Sequence, residues 1–255
     1  MIKNLPSYTR IADQKRLKFI LKNISSRLPA GSKILDIGCG NGVISMHLGT
    51  IGFRVLGIDV SDKTIQTAIS QNTQSNVTFQ QKSAEELSKE GQSFDAIICS
   101  EVLEHLENPG ELLEKIHAIL NKDGILIATV PNGKGPREQF VTKPMLYLTK
   151  KNNLLTKFVM KMKGIFGYSG KTTQSNADNL DHIQFFSYSQ LNSLLRTHHF
   201  KIIQFGKANF IDDVFPFSFF ANRIPLLQRM DCWIVDYLPR WVTGGFFTVS
   251  TKQNG

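Results

Sequence analysis

The chain has 255 residues, 41% hydrophobic and 20% charged, which suits one large α/β domain or two small ones and excludes a wholly disordered chain. Thirty Lys and Arg against 21 Asp and Glu leave a net charge of +9, compatible with an anionic partner or surface without specifying one. Cys39, Cys99 and Cys232 form no CxxC pair, no leader-like segment opens the chain and no uncharged run reaches membrane-spanning length, so the expectation is a reduced cytoplasmic protein without a zinc ribbon or disulfide framework.

Residues 8–28 place Ile11, Leu17, Ile20, Leu21, Ile24 and Leu28 at roughly helical spacing, which predicts an amphipathic helix. Short apolar runs follow as strands: KILDI (33–37), RVLGI (54–58), VTFQQ (77–81), FDAIIC (94–99) and GILIATV (124–130). Helix-compatible segments lie near 43–49, 61–72, 83–90 and 109–120. Strands apolar on both faces and alternating with helices predict a parallel sheet covered by helices. Between Glu138 and Asp178 there is no acidic residue, while Lys143, Lys150, Lys151, Lys157, Lys161, Lys163 and Lys171 fall there. The stretch about 134–180 therefore reads as a basic amphipathic insertion. A helix over 187–200, with Ser187 as N-cap, precedes two further strands, KIIQFGK (201–207) and FFTVSTK (246–252). Between them, about 208–243 is an aromatic-rich insertion carrying both tryptophans, Phe210, Phe215, Phe217, Phe219, Phe220 and Tyr237. Pro216, Pro225 and Pro239 argue against one continuous helix there. A lid, a dimer contact, a pocket wall or core are the roles open to it. The whole, 1–255, reads as a single domain.

Residues 34–42, ILDIGCGNG, run from a strand through Asp36-x-Gly38-x-Gly40-x-Gly42 into a helix beginning near Val43. Glycines let the backbone turn sharply and let a ligand approach, and the helix start offers free N–H groups. The spacing is GxGxG and not GxGxxG, since Val43 holds the third position of the latter. Asp59 ends the second strand, 23 residues after Asp36, where an acid accepts hydrogen bonds from ribose hydroxyls in dinucleotide-type folds. An ordinary glycine turn with a helix-capping aspartate is the plainer alternative. Strand, loop, helix and acid in this order favour a nucleoside site.

Together with FDAIICSEVLEHL and GILIATVPN, these segments resemble the successive motifs of class I S-adenosylmethionine-dependent methyltransferases over about residues 30–132. The resemblance implies a Rossmann-like α/β fold: a seven-stranded, mostly parallel sheet with an antiparallel last strand and helices on both faces. It implies S-adenosylmethionine as cofactor, with Asp36, Gly38, Gly40 and Gly42 on the methionine side and Asp59 on the ribose. Cys39, Val60, Ser83, Ala84, Glu85 and Ser100 complete the implied cofactor set. In one departure, Ser83 stands before Ala84 where the family often has an aspartate contacting adenine, and Glu85 is the candidate substitute.

After the fourth strand comes SEVLEHLENP (100–109). On a helix, Glu101, Glu104 and His105 would share one face at the carboxyl end of a central strand, where ligands bind in open α/β sheets. Val102, Leu103 and Leu106 read as core. Local hydrogen bonding, a general base at His105 and a divalent-metal site are all open. EVLEHL resembles the ubiquinone-biosynthesis O-methyltransferases, in which a Glu-x-x-Glu-His set is associated with magnesium. Small-RNA 3′-terminal 2′-O-methyltransferases use a similar set plus a later histidine, which His182 in DHIQFFSYSQL matches. The resemblance thus implies Glu101, His105 and His182 as catalytic candidates, and Glu101, Glu104, His105 and His182 as candidate Mg2+ ligands. Cys-Ser-Glu-Val at 99–102, in place of Asn/Asp-Pro-Pro-aromatic, counts against methylation of base nitrogens.

An oxygen acceptor fits this apparatus: a hydroxyl must lose its proton, and a histidine or a metal can provide for that. The basic segment 143–171 interleaves lysines with apolar residues, a pattern open to an anionic membrane surface, to RNA phosphates, or to a solvated basic face on a substrate-covering helix, the commonest outcome. The O-methyltransferases resembled above carry a membrane-interacting insertion at this place. The expected acceptor is therefore a small lipophilic or lipid-associated hydroxyl compound. RNA recognition would call for arginines and stacking aromatics, and the region holds only Arg137 at its edge, which counts against a nucleic-acid partner. An RNA 2′-O-methyltransferase and a non-catalytic cofactor-binding or membrane-docking protein stand as the alternatives.

Overall fold

Runs of β-branched and apolar residues form β1 (Lys33–Ile37), β2 (Arg54–Asp59), β3 (Val77–Gln81), β4 (Phe94–Ser100) and β5 (Leu120–Pro131). The computed structural model describes residues 5–142, 183–214, 217–221 and 223–253; His182 and the lysine-rich 143–171 lie outside them. With β6 (Phe200–Lys207) and β7 (Gly245–Lys252) the strands make one sheet in the order β3-β2-β1-β4-β5-β7-β6. β7 runs antiparallel to both β5 and β6, and β1 to β5 pair in parallel. The expected seven-stranded sheet with its reversed last strand is present.

Successive residues of a strand point to opposite faces, so a sheet covered on both sides needs apolar residues at every position. β4 meets that need. Ala96 and Ile98 pack beneath α1 (Ile11–Ser25), α2 (Val43–Thr50) and α3 (Asp62–Gln71), through Ile20, Ile24, Met46 and Ile65. Ile97 and Cys99 pack beneath α4 (Ala84–Ser88), α5 (Pro109–Ile119) and α6 (Tyr188–Thr197), through Leu87, Leu113, Ile116 and Leu191. Truncating a fully buried side chain such as Ile97 to alanine costs about 2–5 kcal/mol. Ser187 caps α6 as expected, in a reciprocal pair with Gln190. β5 begins earlier than the expected residue 124, because Leu120 already pairs with Phe94 before the register shifts to Ala96↔Ile125.

The chain moves outward from β1 through β2 to β3, then crosses back to place β4 on the other side of β1. At such a reversal the loops after the two neighbouring strands diverge and open a crevice at their carboxyl ends. The glycine loop follows β1 and Glu101 follows β4, so both line that crevice.

As its prolines require, 208–243 is broken into α7 (Phe217–Ala221), α8 (Pro225–Tyr237) and a 3-10 turn, Arg240–Val242. α8 rests on α1: Gln228 Oε1 accepts the Ile11 N–H at 3.0 Å, and Lys15 Nζ pairs with Asp236 at 2.7 Å. Phe220, Trp233, Tyr237 and Trp241 are exposed, which corrects the core reading for these four. Phe215 lies outside the described residues. No helix among the described residues is long and apolar enough to cross a membrane, and the three cysteines are free.

Candidate active site

Gly38 and Gly42 adopt φ of +66° and +78°, and Gly42 starts α2 in the left-handed conformation. Space imposes glycine independently of backbone angle. A Cβ on Gly38 would stand 2.5 Å from Val102 Cγ2, and one on Gly42 would stand 2.5 Å from Phe79 Cζ. The loop is thus wedged between β3 and the segment after β4. Asp59 holds it from the third side: its Oδ2 accepts the Gly40 N–H at 3.0 Å and its Oδ1 accepts the Ser61 N–H at 2.9 Å. Each carboxylate oxygen keeps capacity for another donor. Cys39 donates its N–H to the Ile58 carbonyl at 3.0 Å. Val60, the residue after Asp59, is 73% exposed.

Asp36 lies beneath the loop, 1% exposed, and accepts the Ser45 hydroxyl at 2.6 Å. Burial pushes its carboxyl up to about 7, with the Ser45 hydrogen bond opposing and Asp59 adding to the rise. Next to the loop, Ser83 caps α4 reciprocally with Glu86, and Ala84 is buried. Glu85 is exposed and pairs at 3.0 Å with Lys89, the residue that caps the end of α4.

The stretch 100–109 differs from the helix expected of it. Only Leu103–His105 form a 3-10 turn, and α5 starts afresh at Pro109. The Glu101 N–H bonds the Thr129 carbonyl at 2.9 Å, which extends the β4–β5 pairing, and Glu101 then turns with φ of +58°. Glu101, Glu104 and His105 therefore do not share a helical face. Glu101 Oε1 accepts the Thr129 hydroxyl at 2.9 Å, and Thr129 meets Ser100 at 3.0 Å. Glu104 is 1% exposed and neither of its carboxyl oxygens has a hydrogen-bond partner among the described residues. Burial drives its carboxyl well above the usual range, the Glu101 charge adds, and Arg16 opposes. His105 is half-buried, its Nε2 3.7 Å from Glu104 Oε1.

Arg16 joins this group, although no sequence motif singles it out. From α1 it reaches Glu101 Oε1 with Nη1 at 3.4 Å and Asp13 Oδ1 with Nη2 at 3.1 Å. It is 5% exposed, and its Nε has no hydrogen-bond partner among the described residues. Burial opposes its charge, but Glu101 and Asp13 more than offset that and raise the guanidinium further. Its sequence signal is position: Arg16 lies four residues from both Ala12 and Ile20, on the buried side of the helix.

No group of three or more His, Cys, Asp or Glu side chains among the described residues is disposed to hold a metal ion. Glu101 is engaged by Thr129 and Arg16, and His182 falls outside the described residues. Among the described candidates, Glu101, Glu104 and His105 are not disposed as a three-ligand metal set.

A family model described as a methyltransferase domain matches residues 8–205. A ubiquinone biosynthesis O-methyltransferase of Coxiella burnetii is 34% identical over 119 residues, covering 46% of this chain and 50% of that protein. The protein of the same name from Caulobacter vibrioides is 36% identical over 105 residues, covering 40% of this chain and 42% of that one. The chain thus spans about half the length of the curated relatives it matches. The magnesium protoporphyrin IX methyltransferase of Synechocystis, solved with bound SAH, superposes with a TM-score of 0.54 at 15% identity, over 95% of this chain and 84% of that one. That likeness is one of fold.

Proposed function

The chain belongs to the methyltransferase domain family, and on that premise we propose that it transfers a methyl group from S-adenosylmethionine to an oxygen of a small lipophilic or lipid-associated hydroxyl compound. The observation that carries the cofactor is the Asp59 carboxylate fastened to the Gly40 N–H beside the β1–β4 crevice. The site fits the cofactor in its unspent polar groups. Arg16 Nε is a buried donor and Asn41 Oδ1 a buried acceptor, each without a hydrogen-bond partner among the described residues, and buried polar groups favour a partner strongly.

Asp59 holds ribose hydroxyls, Arg16 holds the methionine carboxylate, and Val60 with Ala84 offers apolar contact to the adenine. Gly38, Cys39, Gly40 and Gly42 supply close backbone approach, Asp36 supports the loop from below, and Ser83, Glu85 and Ser100 border the same site. Bound there, S-adenosylmethionine supplies a sulfonium-activated methyl: the acceptor oxygen forms the new O–C bond as the C–S bond breaks and its electron pair returns to sulfur. His105 takes the acceptor's proton, with His182 as the second histidine candidate. Glu101, fixed by Thr129 and Arg16, orients the acceptor, and Glu104 lies beside His105, 3.7 Å from its Nε2.

Support for oxygen as the acceptor comes from the name borne by the curated relatives. Support for a lipophilic acceptor comes from the alternation of lysine and apolar residues in 143–171. The test is incubation with S-adenosylmethionine and hydrophobic phenols in micelles, or short RNAs, with mass-spectrometric detection of S-adenosylhomocysteine and methylated product. Methyl ethers of the phenols are expected, lost in His105→Ala while S-adenosylhomocysteine affinity holds. Methylated RNA alone, or no product with any acceptor, contradicts the reading.

A further inference from the structure

Helix α8 is apolar on two opposite sides. Its inward side, with Cys232 and Val235 beside Gln228 and Asp231, is buried. Its outward side carries Leu226, Met230, Trp233 and Tyr237, spaced by four, three and four residues and so aligned in one stripe. These side chains are 63%, 49%, 62% and 74% exposed, and Trp241, just beyond the helix, is 70% exposed. One apolar stripe suffices to cover α1, so the second has no packing role among the described residues. Trp233 and Tyr237 lie with ring centroids 5.0 Å apart. Such rings, with an apolar body and a polar edge, favour the boundary between lipid and water.

Charge identifies the occupant. Arg223, Arg229 and Arg240 are exposed in this segment. Its acids are already engaged: Asp231 is buried and accepts the N–H groups of Phe210 and Ile211 at 2.7 and 2.9 Å, and Asp236 pairs with Lys15 at 2.7 Å. The charge left facing solvent is positive, which attracts an anionic lipid surface and repels the same face of a second copy. The face also lies at the edge of the sheet where the crevice opens. Lys207, ending β6, donates to the carbonyls of Val235 and Asp236 at 3.1 and 3.0 Å, and Asn132, following β5, donates to the Trp241 carbonyl at 3.1 Å.

We propose that the outward face of α8, together with Trp241, is a docking surface for an anionic membrane. This contact is separate from any made by the lysines of 143–171, and it stands independently of the methyl-transfer reading. It sets the sheet edge that bears the glycine loop beside the bilayer.

The chain's two tryptophans, Trp233 and Trp241, both lie on this face, so intrinsic emission reports on it. The full chain is titrated with vesicles of phosphatidylcholine alone or mixed with phosphatidylglycerol, some carrying brominated acyl chains. A blue shift and quenching with the anionic vesicles are expected, weakening as salt is raised. In Trp233→Ser/Tyr237→Ser, partition measured by flotation is expected to fall about tenfold, with S-adenosylhomocysteine affinity and melting temperature unchanged. Unshifted emission overturns the proposal. So does equal partition of the variant, which would place the contact elsewhere on the chain. A blue shift that grows with protein concentration without vesicles, with a dimer in sedimentation, overturns it in favour of a second copy.

Discussion

Residues 34–105 and residues 208–243 are held in place by different means. The first region is built from contacts between successive motifs: Gly38 against Val102, Gly42 against Phe79, Gly40 bonded to Asp59. The second is anchored to partners far away in sequence, with Gln228 and Asp236 bonded to α1, and Arg10 paired with Asp212 at 2.9 Å. In the first region the strands beneath the glycine loop, β1 and β4, are almost wholly taken up by the packing. In the second a whole helix side is left to solvent. Where the fold needs every side chain, substitution is costly to structure and site alike; where it leaves a side unused, substitution reads out interaction with almost no structural effect.

The sharpest way to break this contrast is in the glycine loop. Gly38→Ala is expected to lower S-adenosylhomocysteine affinity at least about 100-fold by calorimetry, since left-handed backbone and steric overlap act together. Gly91→Ala is the control: its φ is +68° but nothing lies within 4 Å of its Cβ, so only the backbone cost of about 1–2 kcal/mol applies. Equal loss of unfolding stability in both would mean that the contact with Val102 is unimportant.

Arg16 joins α1 to the strand ends, and removal of this buried cation leaves the half-buried Asp13 and Glu101 carboxylates uncompensated. Arg16→Met is expected to cost about 3–5 kcal/mol in denaturant unfolding, part of it recovered in Arg16→Met/Glu101→Gln. A loss below about 1 kcal/mol would reduce Arg16 to the standing of a surface ion pair.

Asp36 gives a smaller effect that depends on pH. The native carboxyl keeps its proton up to about 7, whereas the unfolded one releases it near 3.8. The native state therefore binds more protons between these values, and stability present below the lower one is lost as pH rises to the upper, by up to about 4 kcal/mol. Asp36→Asn is expected to flatten that decline in unfolding curves taken across the window. A decline of the same slope in the variant would assign it to another group.

At the far end of the scale, Trp233→Ser and Tyr237→Ser are expected to change unfolding stability by about 0.5 kcal/mol or less. A larger loss would show that the outward side of α8 is part of the packing after all.

What is legible in the sequence follows the same divide. The alternation of apolar strands and helices, the GxGxG loop and Asp59 are local patterns, and each appears where its spacing places it. The helix that spacing predicts across 100–109 is absent because periodicity does not reveal that the Glu101 N–H is taken by Thr129 on the neighbouring strand. Arg16 escapes a reading by motif because its partner Glu101 stands 85 residues away. The aromatics of 208–243 are recognisable as a group, but their exposure depends on how α8 rotates onto α1, which no local pattern encodes.

The proposed cofactor site stands on the glycine loop and on Asp59, which binds that loop. Its most direct test is calorimetric titration of S-adenosylhomocysteine into the wild-type chain and into Asp59→Ala, with melting temperatures recorded for both. Saturable binding by the wild type, weakened about 100-fold in the variant through loss of charge-assisted hydrogen bonds, with a lowered melting temperature as the Gly40 and Ser61 N–H groups lose their acceptor, is the predicted result. No binding by the wild type, or equal affinity in the two proteins, would contradict it.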